Sequence, residues 1–212
     1  MIRIFTSFIF ILMICSVSLS QDVYQASVLK GFSMQANAGV QLWKSSMITD
    51  KSAIIPAFGI GAMYGFSESL FVYFRYQNSL KGKLSDKEID FNIFSKKANT
   101  ASTAFGLGYA FGKPSSSLKY YAKVGISIQN TNITIYDFNS DLELQLNLSG
   151  WSPQLAIGVL YYLQPFLSIG LEGGGEFGKY RQSEFLGLSY KEKMAFNTIN
   201  AMLSINYHFN GR

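Results

Sequence analysis

Four ionisable side chains, Arg75, Lys123, Glu172 and Glu176, fall where small or polar residues recur at every second position. The positions between them carry Val, Phe, Ile, Leu or Tyr. A period of two places the four on one side of β-strands, opposite the apolar side. Arg75, Lys123 and Glu172 lie a similar number of residues from their nearest turn signals, so they are expected to meet at one level. Tyr73, Tyr121, Tyr162 and Gln154 share that side and are placed to complete the hydrogen bonds. Buried charge must be paired, and two cations with two anions form a set that can be. The expected role is a structural plug, with a switchable gate as the alternative.

Other chemistry has little to stand on. His208 is the only histidine and has no Ser–His–Asp arrangement around it, so no catalysis is expected and it reads as a lining group. Asp137 with Asp141, or Asp86, Glu88 and Asp90, are too sparse for a metal site and fit solvated loops better. The run Gly173-Gly174-Gly175 lacks the following helix that phosphate binding uses; it suits a strand that bends to close a barrel. No metal or cofactor is expected. The single cysteine, Cys15, lies in an N-terminal leader, which leaves a mature chain without thiols.

The elements that position the four charges are strands. In residues 198–209, Ile199, Ala201, Leu203, Ile205, Tyr207 and Phe209 share one face over Thr198, Asn200, Ser204, Asn206 and His208. That length, about ten residues, crosses a bilayer at a tilt. The same alternation recurs at 32–42, 58–66, 70–77, 101–111, 120–129, 151–161 and 167–177, giving eight strands. Short connections follow the second, fourth and sixth; long ones, including 45–52, 78–97 and 179–190, lie between. Gly, Ser, Asn and Gln oppose the aromatic face, the reverse of a soluble barrel with an apolar interior. Outward aromatics Phe32, Phe66, Tyr109, Phe111, Tyr120, Tyr161, Tyr207 and Phe209 gather at the short-turn end. Tyr76, Trp151 and Phe177 stand at the other, as two interfacial girdles would.

Composition agrees. Of 212 residues, 48% are hydrophobic and 16% aromatic but only 15% charged, against about 25% in soluble domains. Beyond the leader no apolar run approaches the roughly 20 residues of a membrane helix. The net charge of +5 is scattered, without the basic stripe of a nucleic-acid binder. Arg3, the apolar stretch 4–17 and Ser18-Leu19-Ser20 read as a secretory signal peptide, residues 1–20, leaving Gln21 as the new terminus. Residues 21–30 then form a short periplasmic lead-in, and 31–212 the barrel.

Above the fifth strand the faces exchange character without a change of parity. Asn130, Asn132 and Thr134 take outward positions, as do Glu143, Gln145 and Asn147, while Ile133, Ile135, Leu142, Leu144, Leu146 and Leu148 turn inward. Met194 and Phe196 turn inward too, with Lys193 and Asn197 outward. Beyond the bilayer the outside is water, so apolar groups belong inside. The expectation is that the hairpin around 137–140 projects as ordered sheet; a bulge at Gly150, shifting parity, is the competing account. An exposed edge at Ile133, Ile135, Leu142, Leu144 and Leu146 could then add a strand to an extracellular protein.

The closing Ile205-Asn206-Tyr207-His208-Phe209, the Tyr64-Gly65-Phe66 turn into Leu70, and Ile157-Gly158-Val159-Leu160-Tyr161 carry a family resemblance. Over about residues 31–209 the chain resembles small eight-stranded OmpA/OmpX-like barrels, in particular the porin-family or outer membrane protein β-barrel domain proteins of Bacteroidetes. The resemblance implies an all-β, antiparallel up-and-down transmembrane β-barrel with a polar interior, in the outer membrane. It implies outer-membrane lipid as surroundings, and it makes Ile205, Tyr207 and Phe209 the signal read by the barrel-assembly machinery. Asn210-Gly211-Arg212 follow Phe209, a departure from that signal. No peptidoglycan-binding domain is expected after the barrel. An eight-stranded interior is just filled by side chains, which disfavours a diffusion pore. The expected function is non-enzymatic: a monomeric structural or surface-interaction protein that meets an extracellular protein or surface ligand through long loops. The alternatives are a narrow channel for small or apolar solutes, or the barrel of a secretion or motility complex.

Overall fold

The computed structural model describes residues 29–45, 52–84, 94–113, 116–137, 142–185, 188–190 and 193–209. The expected leader 1–20, most of the lead-in, Asp86, Glu88, Asp90, Asp141 and the hairpin tip at 138–140 lie outside them. The strands are β1 Gly31–Ser45, β2 Ala53–Gly65, β3 Leu70–Ser79, β4 Gly82–Lys83, β5 Phe94–Phe111, β6 Leu118–Asp137, β7 Leu142–Gln164, β8 Leu167–Phe185, β9 Leu188–Tyr190 and β10 Met194–His208. Each long strand pairs antiparallel with its neighbours in the chain. β10 pairs with both β8 and β1, which closes a ring of eight; β4 and β9 are short additions on β5 and β8. The seam runs unbroken from Ser33 opposite His208 to Ser45 opposite Phe196.

Alternation is complete along β10, where buried and exposed residues alternate from Met194 to His208. The exposed set is the apolar one: Ile157 is 70% and Leu203 67% exposed. A belt of that size would be intolerable in water and is what hydrocarbon requires. At the short-turn end the outward aromatics touch in pairs, Phe32 with Phe209 at 5.4 Å between ring centroids and Tyr109 with Phe111 at 5.0 Å. Tyr64 and Phe166 extend that girdle.

Two expected loops hold strand among their described residues. Residues 78–97 hold the end of β3, all of β4 and the start of β5, and 179–190 hold the upper part of β8 and all of β9. Their alternation was hidden because the polar and apolar sides swap above the lipid. The swap itself is as read: Ile133 and Leu148 are buried, Asn130 and Asn147 exposed, and β6 and β7 stay in one register from Leu118–Tyr161 to Asp137–Leu142. Gly150 therefore does not shift the parity of β7. The irregularity is on the partner strand: Ser149 pairs with Gln182 and Gly150 with Tyr180, so Arg181 is an extra residue in β8. The glycine run 173–175 pairs regularly on both sides.

Large inward side chains are seated against glycines of neighbouring strands. A Cβ on Gly108 would stand 2.1 Å from Cζ of the buried Phe71, and one on Gly158 would stand 2.4 Å from the Tyr121 hydroxyl. Outward Gly173 has its nearest atom at 4.0 Å. Gly108→Ala is expected to lower stability by about 1–3 kcal/mol through overpacking, whereas Gly173→Ala stays within about 0.5 kcal/mol. Urea unfolding followed by heat-modifiable gel migration measures both; equal effects would contradict this packing.

Candidate functional site

The interior is stacked in layers. At the short-turn end Leu29, Met63, Phe71, Leu160 and Tyr162 form an apolar floor. His208 closes it: Tyr162 stacks on the imidazole at 5.0 Å, and the ring nitrogens hydrogen-bond Ser33 at 2.8 Å and Ser168 at 2.9 Å. No carboxylate takes part in these contacts. Tyr162 thus joins the floor and not the charged cluster for which the sequence proposed it.

Above the floor the four charges converge. β3 and β8 stand opposite in the ring, and Arg75 spans the lumen to donate from Nη1 to Glu172 Oε1 at 2.8 Å and from Nη2 to Glu176 Oε1 at 3.3 Å. Lys123 on β6 donates to the other Glu172 oxygen at 2.6 Å, which also accepts from the Tyr121 hydroxyl at 2.8 Å. Ser127 donates to Glu176 at 2.9 Å, and Tyr73 to Gln154 at 2.9 Å. The Lys123 ammonium lies over the rings of Tyr121, at 4.8 Å, and Tyr73, at 5.2 Å. Two cations and two anions neutralise one another, and both Glu172 oxygens are engaged, as buried carboxylates require. Arg75 Nε is left without a partner.

Next come amides: Gln77 bridges Gln41 at 3.3 Å and Asn200 at 3.0 Å, and Gln41 donates to Thr100 at 2.7 Å. The top is apolar again, with Trp43, Ile55, Ile133, Leu148, Tyr180, Met194 and Phe196 in one cluster. The Tyr180 hydroxyl is its polar pivot, accepting from Trp43 Nε1 at 2.9 Å and Gln129 at 2.8 Å and hydrogen-bonding Thr131 at 2.6 Å. Trp43 and Tyr180 continue the inward parity of Gln41 and Glu176, the signal that would have placed them. Ser127 had none beyond its inward position.

A family model described as outer membrane protein beta-barrel domain matches residues 9–209. The chain belongs to that family. It lies in the outer membrane, and the exposed apolar belt faces lipid. Among solved structures it resembles Neisserial surface protein A (TM-score 0.54, 17% identity, 85% of this chain and 98% of that one). It also resembles OprG of Pseudomonas aeruginosa (0.55, 14%, 87% and 99%) and Ail of Yersinia pestis (0.50, 14%, 85% and 100%). These likenesses show the fold. No curated protein matches the chain in sequence.

The remaining residues singled out by sequence divide. Ile205, Tyr207 and Phe209 face lipid, and the Phe209 amide donates to the Phe32 carbonyl at 3.0 Å. Of the hairpin residues, Ile133, Ile135 and Leu146 do not lie on a free edge. Ile133 is buried in the upper cluster, Ile135 and Leu146 pack against it, and Leu144 points the same way. β5 pairs with β6 up to Phe94–Asp137, so the β6 flank is occupied, while β8 covers β7 only up to Leu146–Phe185 and, among the described residues, leaves Leu142 and Leu144 without a partner on that side. Strand addition at Ile133, Ile135 and Leu146 is thereby corrected: neighbouring strands rise beside these residues and pair with them. Among the described residues no group of three or more potential metal ligands is found.

Glu172→Gln leaves Arg75 and Lys123 buried with one carboxylate between them and is expected to cost about 3–5 kcal/mol. Denaturant unfolding in detergent micelles reads this; a loss below about 1 kcal/mol would mean that water reaches the cluster.

Proposed function

We propose that the protein is a non-enzymatic, non-conducting surface-interaction barrel, whose binding element is the outer face of the sheet that β5 to β9 raise above the lipid. The observation that carries this reading is a row of polar residues across that sheet. Asn99 pairs with Asn132, Asn132 with Asn147, Asn147 with Glu184 and Glu184 with Ser189. Below it Asn130, Ser149 and Gln182 form a second row, and together the rows line a cleft of about 450 Å³. Amide and hydroxyl groups in fixed register offer donors and acceptors to a polar surface ligand, while the apolar groups of the same strands are spent on the interior. A plug, not a gate, is the role proposed for Arg75, Lys123, Glu172 and Glu176, because apolar layers lie both below and above them. A structure of the Ail barrel contains a heparin analogue, sucrose octasulfate, and so supports surface ligand binding on this fold.

The signal peptide at residues 1–20 and the periplasmic lead-in are part of the same proposal, as is recognition of Ile205, Tyr207 and Phe209 during assembly.

Two measurements test the reading. In planar bilayers the wild type is expected to show near-zero conductance, and discrete openings would overturn the sealed lumen. Cells displaying Asn132→Ala/Asn147→Ala are expected to bind immobilised matrix proteins and glycans about tenfold less than wild type, on the order of one lost hydrogen bond per site. Unchanged binding would remove the amide face as the site.

A further inference from the structure

On the outer wall, where β7, β8 and β10 meet, the lipid belt ends in Phe177 and Trp151, both about half exposed. The next groups up the same face are cationic. Lys179 pairs directly beside Trp151 and opposite Ala195, and Lys193 precedes the first residue of β10. Arg181 is the extra residue of the β8 bulge, and its guanidinium carbon lies 4.6 Å from the Trp151 ring centroid. Bulges re-aim side chains at barrel rims, and this one turns both Arg181 and Gln182 outward while Ser183 stays buried. The three cations, Trp151, Pro153 and Phe177 line a cleft of about 700 Å³. Lys44 extends the positive edge on β1, where it pairs with Asn197.

Three like charges lining one cleft repel one another. Among the described residues none of the three has a carboxylate partner. An occupant that relieves this arrangement must carry negative charge at the height of the cations. It must also carry hydrocarbon at the height of Trp151, Pro153 and Phe177. Water-soluble anions meet the first condition only. A lipid with a phosphorylated headgroup meets both, and in an outer-membrane barrel it lies beside the wall already. The stacking of Arg181 on Trp151 holds the guanidinium fork in place, which suits two-pronged hydrogen bonding to phosphate oxygens.

We propose that this cleft is a binding site for an outer-leaflet lipid, with its headgroup phosphate held by Lys179, Arg181 and Lys193 and its acyl chains against Trp151, Pro153 and Phe177. The site is on the lipid-facing wall and is separate from the amide face and from the lumen.

The test uses the full mature chain refolded in detergent micelles. It is titrated with bisphosphorylated lipid A, with the same lipid stripped of its phosphates, and with inorganic phosphate. Trp151 emission and native mass spectrometry report binding; the second of the two tryptophans, Trp43, is fully buried and acts as internal reference. Wild type is expected to take the phosphorylated lipid at concentrations at least about tenfold below the stripped lipid, from the attraction of a few cations at a membrane surface. Lys179→Gln/Arg181→Gln/Lys193→Gln should lose that preference, while Lys81→Gln/Lys83→Gln/Lys97→Gln, equal in charge removed, should keep it. Arg181→Gln alone should weaken binding about fivefold and serves if the triple variant does not refold. Equal affinity for both lipids would overturn the site. So would equal losses in the two triple variants, which indicate diffuse charge, or inorganic phosphate binding as tightly as the lipid.

Discussion

Hydrocarbon supplies no hydrogen bonds, so every backbone N–H and C=O within the membrane must find its partner in the protein. For strands this is possible only if the sheet has no edge, and the pairing of β10 with β1 is the contact that removes it. All else in the molecule is conditional on that seam. Once the ring is closed, each strand has a fixed inside and outside, and a single slip would send every side chain of that strand to the wrong solvent. The unbroken register of β6 against both β5 and β7 shows how strictly the rule is kept.

The interior follows from the same closure. A ring of eight is too narrow to stay empty, so its contents must pack as a core while remaining polar enough to leave the apolar residues to the lipid. The chain resolves this by layering. Charges sit at mid-depth, where they neutralise one another across the ring, and aromatic groups sit above and below them. Inward glycines make the layering sterically feasible, since the rings of Phe71 and Tyr121 occupy the space that side chains at Gly108 and Gly158 would fill.

Most of this is legible in the sequence, because parity is a local property and charge pairing a general one. The strand faces, the girdles, the closing strand and the convergence of Arg75, Lys123 and Glu172 could all be read by counting in twos. What could not be read had one of two causes. Where the outside changes from lipid to water, alternation persists but its sign reverses, which disguised the upper parts of β5 and β8 as loops. The other cause is a property of pairs of strands. The extra residue Arg181 is visible only once Ser149 and Gly150 are matched to Gln182 and Tyr180, and nothing in the sequence of β8 marks it. The cover beside Ile133 and Leu146 is likewise a fact about the neighbouring strands, β5 and β8, and not about those two residues.

The strands do not rise equally. β6 continues from Gln129, level with the Tyr180 hydroxyl it contacts, to Asp137, a climb of roughly eight residues or about 25 Å along the strand. β1 ends two residues beyond Trp43, which touches the same hydroxyl. A ring that would otherwise look alike from every direction in the plane of the membrane therefore has an azimuth. Among the described residues the wall is tall and hydrophilic on the side of β6 and β7 and lower on the side of β1 and β2. A lateral contact on the tall side is thereby distinguishable from one on the opposite side by rotation of the barrel about the membrane normal.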